Sequence, residues 1–223
     1  MTLARFKDLS IDAVDPHRLA RQWSAFLGRD LELFDDGDAA LRGHALQQTV
    51  WINRVPEAKT VKHRVHLDLR TPSLEFFDGL EVVPVGPDDR WTTFRDVEGG
   101  ELCVFVQDEV PGELLKDVVV DAVDHERIGH WWADVLGGEL QSHDGWVNLD
   151  GIPGFPYESF DFGTVPEPKT VKNRIHWDVT LEPGVAPEDL VSLGATNLRD
   201  RDDRIAWTVM ADPEGNEFCV HLA

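Results

Sequence analysis

Two stretches of the sequence carry the same set of side chains that could do chemistry. These side chains are Arg64, His66, Asp68 and Cys103 in the first stretch, and Arg174, His176, Asp178 and Cys219 in the second. Histidine transfers protons near neutral pH, and arginine can hold a carboxylate or phosphate through two parallel hydrogen bonds. A cysteine thiolate can bind a metal, although a free cysteine is more often buried as a small apolar group. The two sets therefore mark candidate sites for substrate binding, proton transfer or metal binding.

These sets belong to an internal repeat. Residues 55–69 return 110 residues later as residues 165–179, and 10 of the 15 positions are identical. The segments on either side match in the same order. We therefore predict two copies of one unit, at residues 1–107 and 115–223, joined by the polar, Pro/Gly-containing linker 108–114.

Each copy contains two smaller modules, in which a strand is followed by a helix and then by further strands. Apolar and polar residues alternate from Asp8 to Ala13, which is the period of a half-buried strand. Asp15 and Pro16 then supply an N-cap and a first-turn proline, and Gly28 ends the predicted helix. The second module opens with the strand that holds His66, and a short helix is predicted over Leu74–Leu80. The pattern predicts an α+β fold of four βαβββ modules.

The alternation also predicts which polar side chains share a face of a strand, because successive side chains point to opposite faces. The predicted sets are Asp8, Ser10 and Asp12; Arg64, His66 and Asp68; Glu101, Cys103 and Phe105; and, in the second copy, Asp117, Val119 and Asp121; Arg174, His176 and Asp178; Glu217, Cys219 and His221. Such a mixture of charges requires internal pairing or a bound ligand, since burying an unpaired charge costs several kcal/mol.

The module pattern, the helices that end in Leu-Gly and the turn DPEGNEF before the last strand resemble the vicinal oxygen chelate superfamily, in particular its glyoxalase-like group. The resemblance covers almost the whole chain. It implies two glyoxalase-like domains, one per copy, whose paired modules wrap cup-shaped mixed sheets. The superfamily includes glyoxalases, epimerases, extradiol dioxygenases, fosfomycin-inactivating enzymes and metal-free proteins that sequester antibiotics such as bleomycin, so the resemblance does not name a reaction.

Metal-dependent relatives imply four ligand positions, and we compared them with this sequence. The first position falls on Asp8 and Asp117, the second on His66 and His176, the third on Cys103 and Cys219, and the fourth on Trp51 and Asp161. Only the histidines match the resemblance, since a glutamate is expected where the cysteines stand. We therefore expect no metal cofactor and keep a divalent ion as the alternative. A site of two histidines and one carboxylate, as a dioxygenase iron requires, is not available at these positions.

The function predicted first is the binding of a small organic molecule in a polar cup without a metal. The predicted binding residues are Asp8, Arg64, His66, Asp68, Cys103, Asp117, Arg174, His176, Asp178 and Cys219. The alternative is a lyase, isomerase or dioxygenase, with or without a metal, in which His66 or His176 is catalytic and is oriented by Asp8, Asp68 or their counterparts. A network of ion pairs that only holds the strands together explains the same residues.

The composition limits the partners. With 42 acidic and 21 basic residues, the chain has a formal charge of −21, which disfavours nucleic acid and anionic membrane surfaces. No apolar run reaches the roughly 20 residues that span a bilayer. We expect a cytoplasmic protein that is a monomer or a homodimer. Cys103 and Cys219 are equivalent repeat positions and are not predicted to form a disulfide.

The loop ahead of each histidine is basic. Its lysines are Lys59, Lys62, Lys169 and Lys172. We expect them to pair at the surface with Glu57 and Glu167, rather than to attract an anionic ligand.

Trp23 and Trp132 are predicted to pack in the core, whereas Trp91 and Trp207 suit either the core or the wall of a cup.

Overall fold

The computed structural model describes residues 2–86 and 90–223. Within them the strands are β1 (Ala4–Ala13), β2 (Asp30–Leu33), β3 (Ala39–Arg42), β4 (Val50–Arg54), β5 (Val65–Thr71), β6 (Glu81–Val83), β7 (Thr92–Arg95), β8 (Glu101–Val106), β9 (Leu115–Ala122), β10 (Glu139–His143), β11 (Trp146–Asp150), β12 (Ser159–Thr164), β13 (Ile175–Leu181), β14 (Thr196–Arg199), β15 (Thr208–Ala211) and β16 (Glu217–His221). The helices are α1 (Pro16–Leu27), α2 (His125–Leu136) and α3 (Pro187–Ser192). This confirms the predicted α+β class.

The elements form four modules of related order. Module 1 is β1, α1 and β2–β4; module 2 is β5–β8; module 3 is β9, α2 and β10–β12; and module 4 is β13, α3 and β14–β16. Module 2 has a short 3-10 helix at Leu74–Phe77 in place of the longer helix predicted there.

The ends of α1 follow from the local sequence as predicted. The side chain of Asp15 accepts a hydrogen bond from the backbone N–H of Arg18, and Pro16 occupies the first turn. Gly28 ends the helix with a φ of 61°, in the left-handed region that glycine adopts without a steric penalty. Asp124 caps α2 in the same way.

The modules pair into two eight-stranded mixed sheets. Sheet A has the strand order β14-β15-β16-β13-β1-β4-β3-β2, and sheet B has the order β10-β11-β12-β9-β5-β8-β7-β6. Each sheet has an antiparallel seam at its centre, formed by β1 and β13 in sheet A and by β5 and β9 in sheet B. Modules 1 and 4 therefore build sheet A, and modules 2 and 3 build sheet B.

This pairing differs from the expectation that the two modules of one copy form one cup. The connection between β4 and β5, at residues 55–64, carries the chain from sheet A to sheet B, so each sheet takes one module from each copy. All four modules carry similar alternation, and that alternation is compatible with either pairing. The limits of the domains at residues 1–107 and 115–223 stay a prediction.

The core lies between the sheets and the helices that cover them. Trp23 of α1 and Trp132 of α2 are 1% and 0% exposed, which confirms that they pack in the core. Their indole N–H groups donate to Asp96 and Asp212, each at 3.1 Å, so each buried ring also has its polar atom satisfied.

None of the described helices has the length and apolar character needed to cross a membrane.

Candidate functional site

Sheet B presents a large cavity on the face opposite its helix, which we call the sheet B cup. Its volume is about 1340 Å³. Its polar floor includes His66, Asp68, Cys103, Asp117 and Asp161, and its aromatic side chains are Trp91, Phe105 and Trp146. Strands β5, β8, β9 and β12 supply the floor, so both copies of the repeat contribute to it.

His66 is held by hydrogen bonds on the floor of the cup. Its Nδ1 lies 3.1 Å from Oδ1 of Asp68 and 3.9 Å from Sγ of Cys103. Burial opposes the charge on the imidazole, but the hydrogen bonds to Asp68 and Cys103 outweigh it and raise the pKa of His66 well above its usual value. The raised pKa favours the protonated imidazole, which can donate a hydrogen bond. Asp68 orients it, whereas Asp8, the other predicted partner, lies in sheet A.

Two further carboxyl groups of the floor come from module 3. Oδ1 of Asp117 accepts hydrogen bonds from the backbone N–H and the hydroxyl of Ser159, and Oδ2 pairs with the ammonium group of Lys116. Asp161 faces the same region from β12, and its Oδ1 is buried without a hydrogen-bond partner among the described residues. Burial, together with the charge of Asp117, raises the pKa of Asp161 to about 7. Oδ1 of Asp161 is therefore an acceptor in the cup that none of the described residues satisfies.

The basic side chains around the cup are already paired. Lys59 binds Glu101 at 2.8 Å, Lys62 binds Asp121 at 2.6 Å and Arg95 binds Glu81 at 2.5 Å. In the second copy, Lys169 binds Glu217 and Lys172 binds Asp12. The lysines of the loops are thus ion-paired as expected, but with strand carboxylates in place of the predicted Glu57 and Glu167.

Sheet A gathers the equivalent residues into a second group, which we call the sheet A cluster and define as Asp8, His176, Asp178 and Cys219. Donor atoms of His176, Asp178 and Cys219 lie within 4.8 Å of one another, as do those of His66, Asp68 and Cys103 in sheet B. Asp8 stands opposite Asp178 across the β1–β13 seam. Burial, followed by the charge of Asp178, raises the pKa of Asp8. Burial also raises the pKa of the Cys219 thiol.

The hydrogen bonds of the two groups differ. In sheet A, Asp178 binds His221 at 2.8 Å, and His221 stands where the first copy has Phe105. Within the described part of the chain, Nδ1 of His176, Oδ1 of Asp178 and Oδ1 of Asp8 are buried without hydrogen-bond partners. In sheet B the corresponding histidine nitrogen binds Asp68.

An aromatic stack stands in sheet A at the position that Asp161 has in sheet B. Trp51 donates its indole N–H to Oδ2 of Asp8 at 3.1 Å. The Arg42 guanidinium lies 4.5 Å from the centre of the Trp51 ring, and Phe34 stacks on the same ring at 6.2 Å. This side of the sheet A cluster is therefore filled by protein side chains.

The two predicted arginines do not line the sheet B cup. Arg64 donates to the backbone oxygen of Glu167 at 2.7 Å, and Arg174 donates to that of Glu57 at 2.5 Å. Both line a separate cavity of about 770 Å³ between the two basic loops. Arg64 precedes β5 and Arg174 precedes β13, so the strand alternation used to predict their direction does not extend to them.

Sequence reasoning missed Lys116, Trp146 and the role of His221. The repeat contained a signal for His221, because a phenylalanine at the equivalent position of the first copy marks a difference between the two sites. Trp146 is the first residue of β11, directly after the β10–β11 turn, where a sequence pattern does not show which cavity the side chain lines.

Comparison with known families agrees with this architecture. Residues 8–105 and 117–221 each match the family model described as a glyoxalase-like domain. The chain belongs to the glyoxalase-like domain family. No curated protein sequence matches it.

Solved structures share the glyoxalase-like fold at low sequence identity. Glyoxalase I from Zea mays has a TM-score of 0.72 and 13% identity, over 97% of this chain and 92% of that chain. A putative dioxygenase from Bacillus subtilis subsp. subtilis str. 168 has a TM-score of 0.67 and 11% identity, over 99% of this chain and 86% of that one. The cppA protein from Streptococcus pneumoniae TIGR4 has a TM-score of 0.53 and 10% identity, and the match covers all of both chains. These likenesses show the fold.

The metal that the glyoxalase-like resemblance implies can be tested against each group of residues. In sheet B, Nδ1 of His66 is hydrogen-bonded to Oδ1 of Asp68, so a metal at His66, Asp68 and Cys103 would have to replace that bond. In sheet A, two buried carboxylate oxygens and one imidazole nitrogen lack partners within the described residues, and a thiol stands beside them. The sheet A cluster therefore fits a cation. Each group contains a single histidine, which argues against an iron site of two histidines and one carboxylate.

Proposed function

We propose that the protein binds a small organic molecule in the sheet B cup without a metal. The observation that carries this proposal is the cavity of about 1340 Å³ with a polar floor and aromatic side chains. Ligand pockets are typically concave and partly aromatic, with a few polar groups that fix orientation. The cup has this composition, and its floor combines the imidazole of His66, whose pKa is raised, with Oδ1 of Asp161, which has no partner among the described residues.

The free polar groups indicate the chemistry of the ligand. Carboxylates pair with the basic groups of the cup, which are Lys59, Lys62, Arg95 and Lys116. His66 is therefore the main remaining group that could bind an anion. A donor group on the ligand would satisfy Oδ1 of Asp161. Trp91 and Phe105, with ring centres 5.7 Å apart, suit a planar ring. We therefore infer a planar molecule with an amine or hydroxyl donor and an acceptor for His66.

A matched pair of tryptophans tests the site. A panel of aromatic amines and phenols is screened by thermal melting, and the best compound is titrated by calorimetry. Trp91→Ala should weaken binding at least about tenfold, equivalent to about 1.4 kcal/mol. Trp207→Ala, the equivalent change in sheet A, should leave the affinity unchanged. Equal losses in both variants, or a panel without any stabilising compound, would count against the sheet B cup.

A second candidate is acid–base catalysis in the same cup, as in an isomerase or lyase. The pKa of about 7 at Asp161, on the same floor as the His66 donor, favours it, because a base and an acid are then available near neutral pH. Incubating the bound compound with wild-type protein and with His66→Gln, followed by mass spectrometry and NMR, separates the two functions. Turnover that His66→Gln abolishes while binding persists would make the protein an enzyme.

A further inference from the structure

We propose that the cavity between the two basic loops binds a small aliphatic carboxylate, whose charged group pairs with the guanidinium of Arg64. Residues of the loops 55–64 and 165–174, with Asp12 and Asp121, line this cavity, which we call the loop cavity. Its volume of about 770 Å³ is in the range of ligand pockets. The site is distinct from the sheet B cup and does not depend on the function proposed for that cup.

Arg64 is the basic side chain of these loops that has no carboxylate partner among the described residues. The other five are ion-paired: Lys59, Lys62, Lys169, Lys172 and Arg174. Arg64 donates from Nη1 to the backbone oxygen of Glu167. Its Nε and Nη2 are buried without a hydrogen-bond partner in the described part of the chain. A buried donor without an acceptor is costly, so these two nitrogens require an acceptor from outside the protein.

The two unpaired nitrogens of Arg64 select the charged group of the ligand. Nε and Nη2 form one edge of the guanidinium plane, so their N–H bonds are parallel and match two oxygens of one anion. A phosphate monoester carries nearly two negative charges, and Arg64 supplies one positive charge. The cavity is also lined by Asp12, Glu57, Asp121 and Glu167, which disfavour the second negative charge. A carboxylate, with two oxygens and one charge, fits best.

The equivalent arginine of the second copy shows what Arg64 lacks. Nε and Nη1 of Arg174 donate to backbone oxygens, and Nη2 lies 3.4 Å from Oε2 of Glu98. Glu214 is the counterpart of Glu98, and the structure places no hydrogen bond or ion pair between it and Arg64 in the described residues. A bound carboxylate would therefore take the place at Arg64 that Glu98 has at Arg174.

A second unpaired group lies next to Arg64 in the chain. His63 also lines the loop cavity, and both of its ring nitrogens are buried without a partner among the described residues. Burial lowers the pKa of His63 to about 4, so its ring is neutral near pH 7 and keeps one N–H donor. Its counterpart Asn173 instead donates its amide to Asn216 at 3.0 Å. The unsatisfied donors are thus on the side of the cavity that the first copy forms.

The walls of the loop cavity indicate the body of the ligand. Val61 and Val171 line the cavity from equivalent positions of the two loops, and both are exposed. Val55 and Val165 form a second equivalent pair. The described lining residues include no phenylalanine, tyrosine or tryptophan, in contrast to the sheet B cup. An alkyl chain would remove the valine surfaces from water, so we expect an aliphatic body in place of a planar ring.

The experiment measures the binding of hexanoate and octanoate to the full chain, by thermal melting and isothermal titration calorimetry near neutral pH. Hexan-1-ol and octan-1-ol are the uncharged analogues, and inorganic phosphate is the anion without an alkyl chain. The carboxylates should raise the melting temperature, whereas the alcohols and phosphate should not. Absence of any shift and any heat with both carboxylates would overturn the proposal. Phosphate binding as tight as that of hexanoate would overturn the aliphatic carboxylate as the ligand class.

Matched variants assign the binding to Arg64. Arg64→Lys keeps the charge but removes the edge with two donors, so the affinity for hexanoate should fall at least about tenfold. Arg174→Lys makes the same change where the nitrogens already have partners, and Trp91→Ala changes a residue that lines the sheet B cup. Both should keep the wild-type affinity. An equal loss in Arg174→Lys would overturn the role of Arg64, and a loss in Trp91→Ala would overturn the assignment to the loop cavity.

Wild-type protein gives a second readout that does not depend on the stability of a variant. In protein with isotope-labelled arginine, the Nε–H resonance that is missing from Arg64→Lys belongs to Arg64. This resonance should move when hexanoate is added, and binding that leaves it unchanged would overturn the pairing. The aromatic compounds of the sheet B cup report on the proposed function separately, because Arg64→Lys should still bind them.

Discussion

At the scale of single residues, the two halves of this protein have diverged at a few positions that decide the chemistry. Asp161 in sheet B corresponds to Trp51 in sheet A, and Phe105 in sheet B corresponds to His221 in sheet A. Asp161 adds a carboxyl group to the floor of the sheet B cup, whereas the Trp51 ring occupies the equivalent position in sheet A. The second exchange draws Asp178 to His221, whereas Asp68 binds its own histidine. The same three residue types, one His, one Asp and one Cys, therefore have different hydrogen-bond partners and neighbours in the two sheets.

Asp161→Asn should change how stability depends on pH. Its folded pKa of about 7 lies above the ordinary value of 3.8, so between about pH 4 and pH 7 the folded state binds a proton that the unfolded state has lost. Wild-type stability should thus fall as pH rises through this window, by about 1 to 3 kcal/mol for this group. The asparagine variant lacks this decrease.

Urea denaturation of both proteins at pH 5 and pH 8 measures the effect. The variant should gain stability relative to wild type at pH 8, and much less at pH 5. Asp30→Asn, at an exposed position, serves as the control and should show no such gain. A wild-type–variant difference that is the same at both pH values would contradict the raised pKa.

At the scale of elements, the turn before the last strand of each copy ties neighbouring modules together. Asp212 accepts hydrogen bonds from the backbone N–H groups of Glu214 and Asn216 and from the indole of Trp132. Glu214 then reaches back to the backbone N–H groups of Val123 and Asp124, where α2 begins. One short turn thus anchors a core tryptophan and the start of a helix in another module.

Asp212→Ala should therefore destabilise the whole fold. Asp212 is 2% exposed, and its loss leaves an indole N–H and two backbone N–H groups without their acceptor. We expect a loss of about 2 to 4 kcal/mol in the free energy of unfolding. Chemical denaturation measures it, with Asp144→Ala in the exposed β10–β11 turn as the control. A loss no larger than that of the control would show that the turn is not an anchor.

At the scale of the whole molecule, the two copies complete each other's sheets. The central pairs β1–β13 and β5–β9 both join strands from different copies. A single copy would thus leave two central strands with unpaired edges, and exposed edges of this kind promote association. The cup and the sheet A cluster each require residues from both copies.

Separate expression of residues 1–110 and 111–223 tests this dependence. Neither half should behave as a stable monomer, and mixing the two should restore a one-to-one complex with the native circular dichroism spectrum and melting. Size-exclusion chromatography with light scattering measures the masses. A half that is monomeric and melts cooperatively near the temperature of the full chain would refute the shared sheets as the basis of stability.

The sequence by itself determined the repeat, the α+β modules, the ends of α1 and the family, because these depend on local spacing and on identity between the copies. It also identified the histidine, aspartate and cysteine that converge in each sheet. Only the tertiary structure decided which modules pair, that Arg64 and Arg174 lie away from the cup, and that Asp8 stands opposite Asp178. The alternation of a strand predicts which face of the sheet a side chain lies on, but it does not predict which strand pairs with it. Modules of similar pattern have similar strand edges, so several pairings fit the sequence. The partner is settled by long-range packing across the central seams.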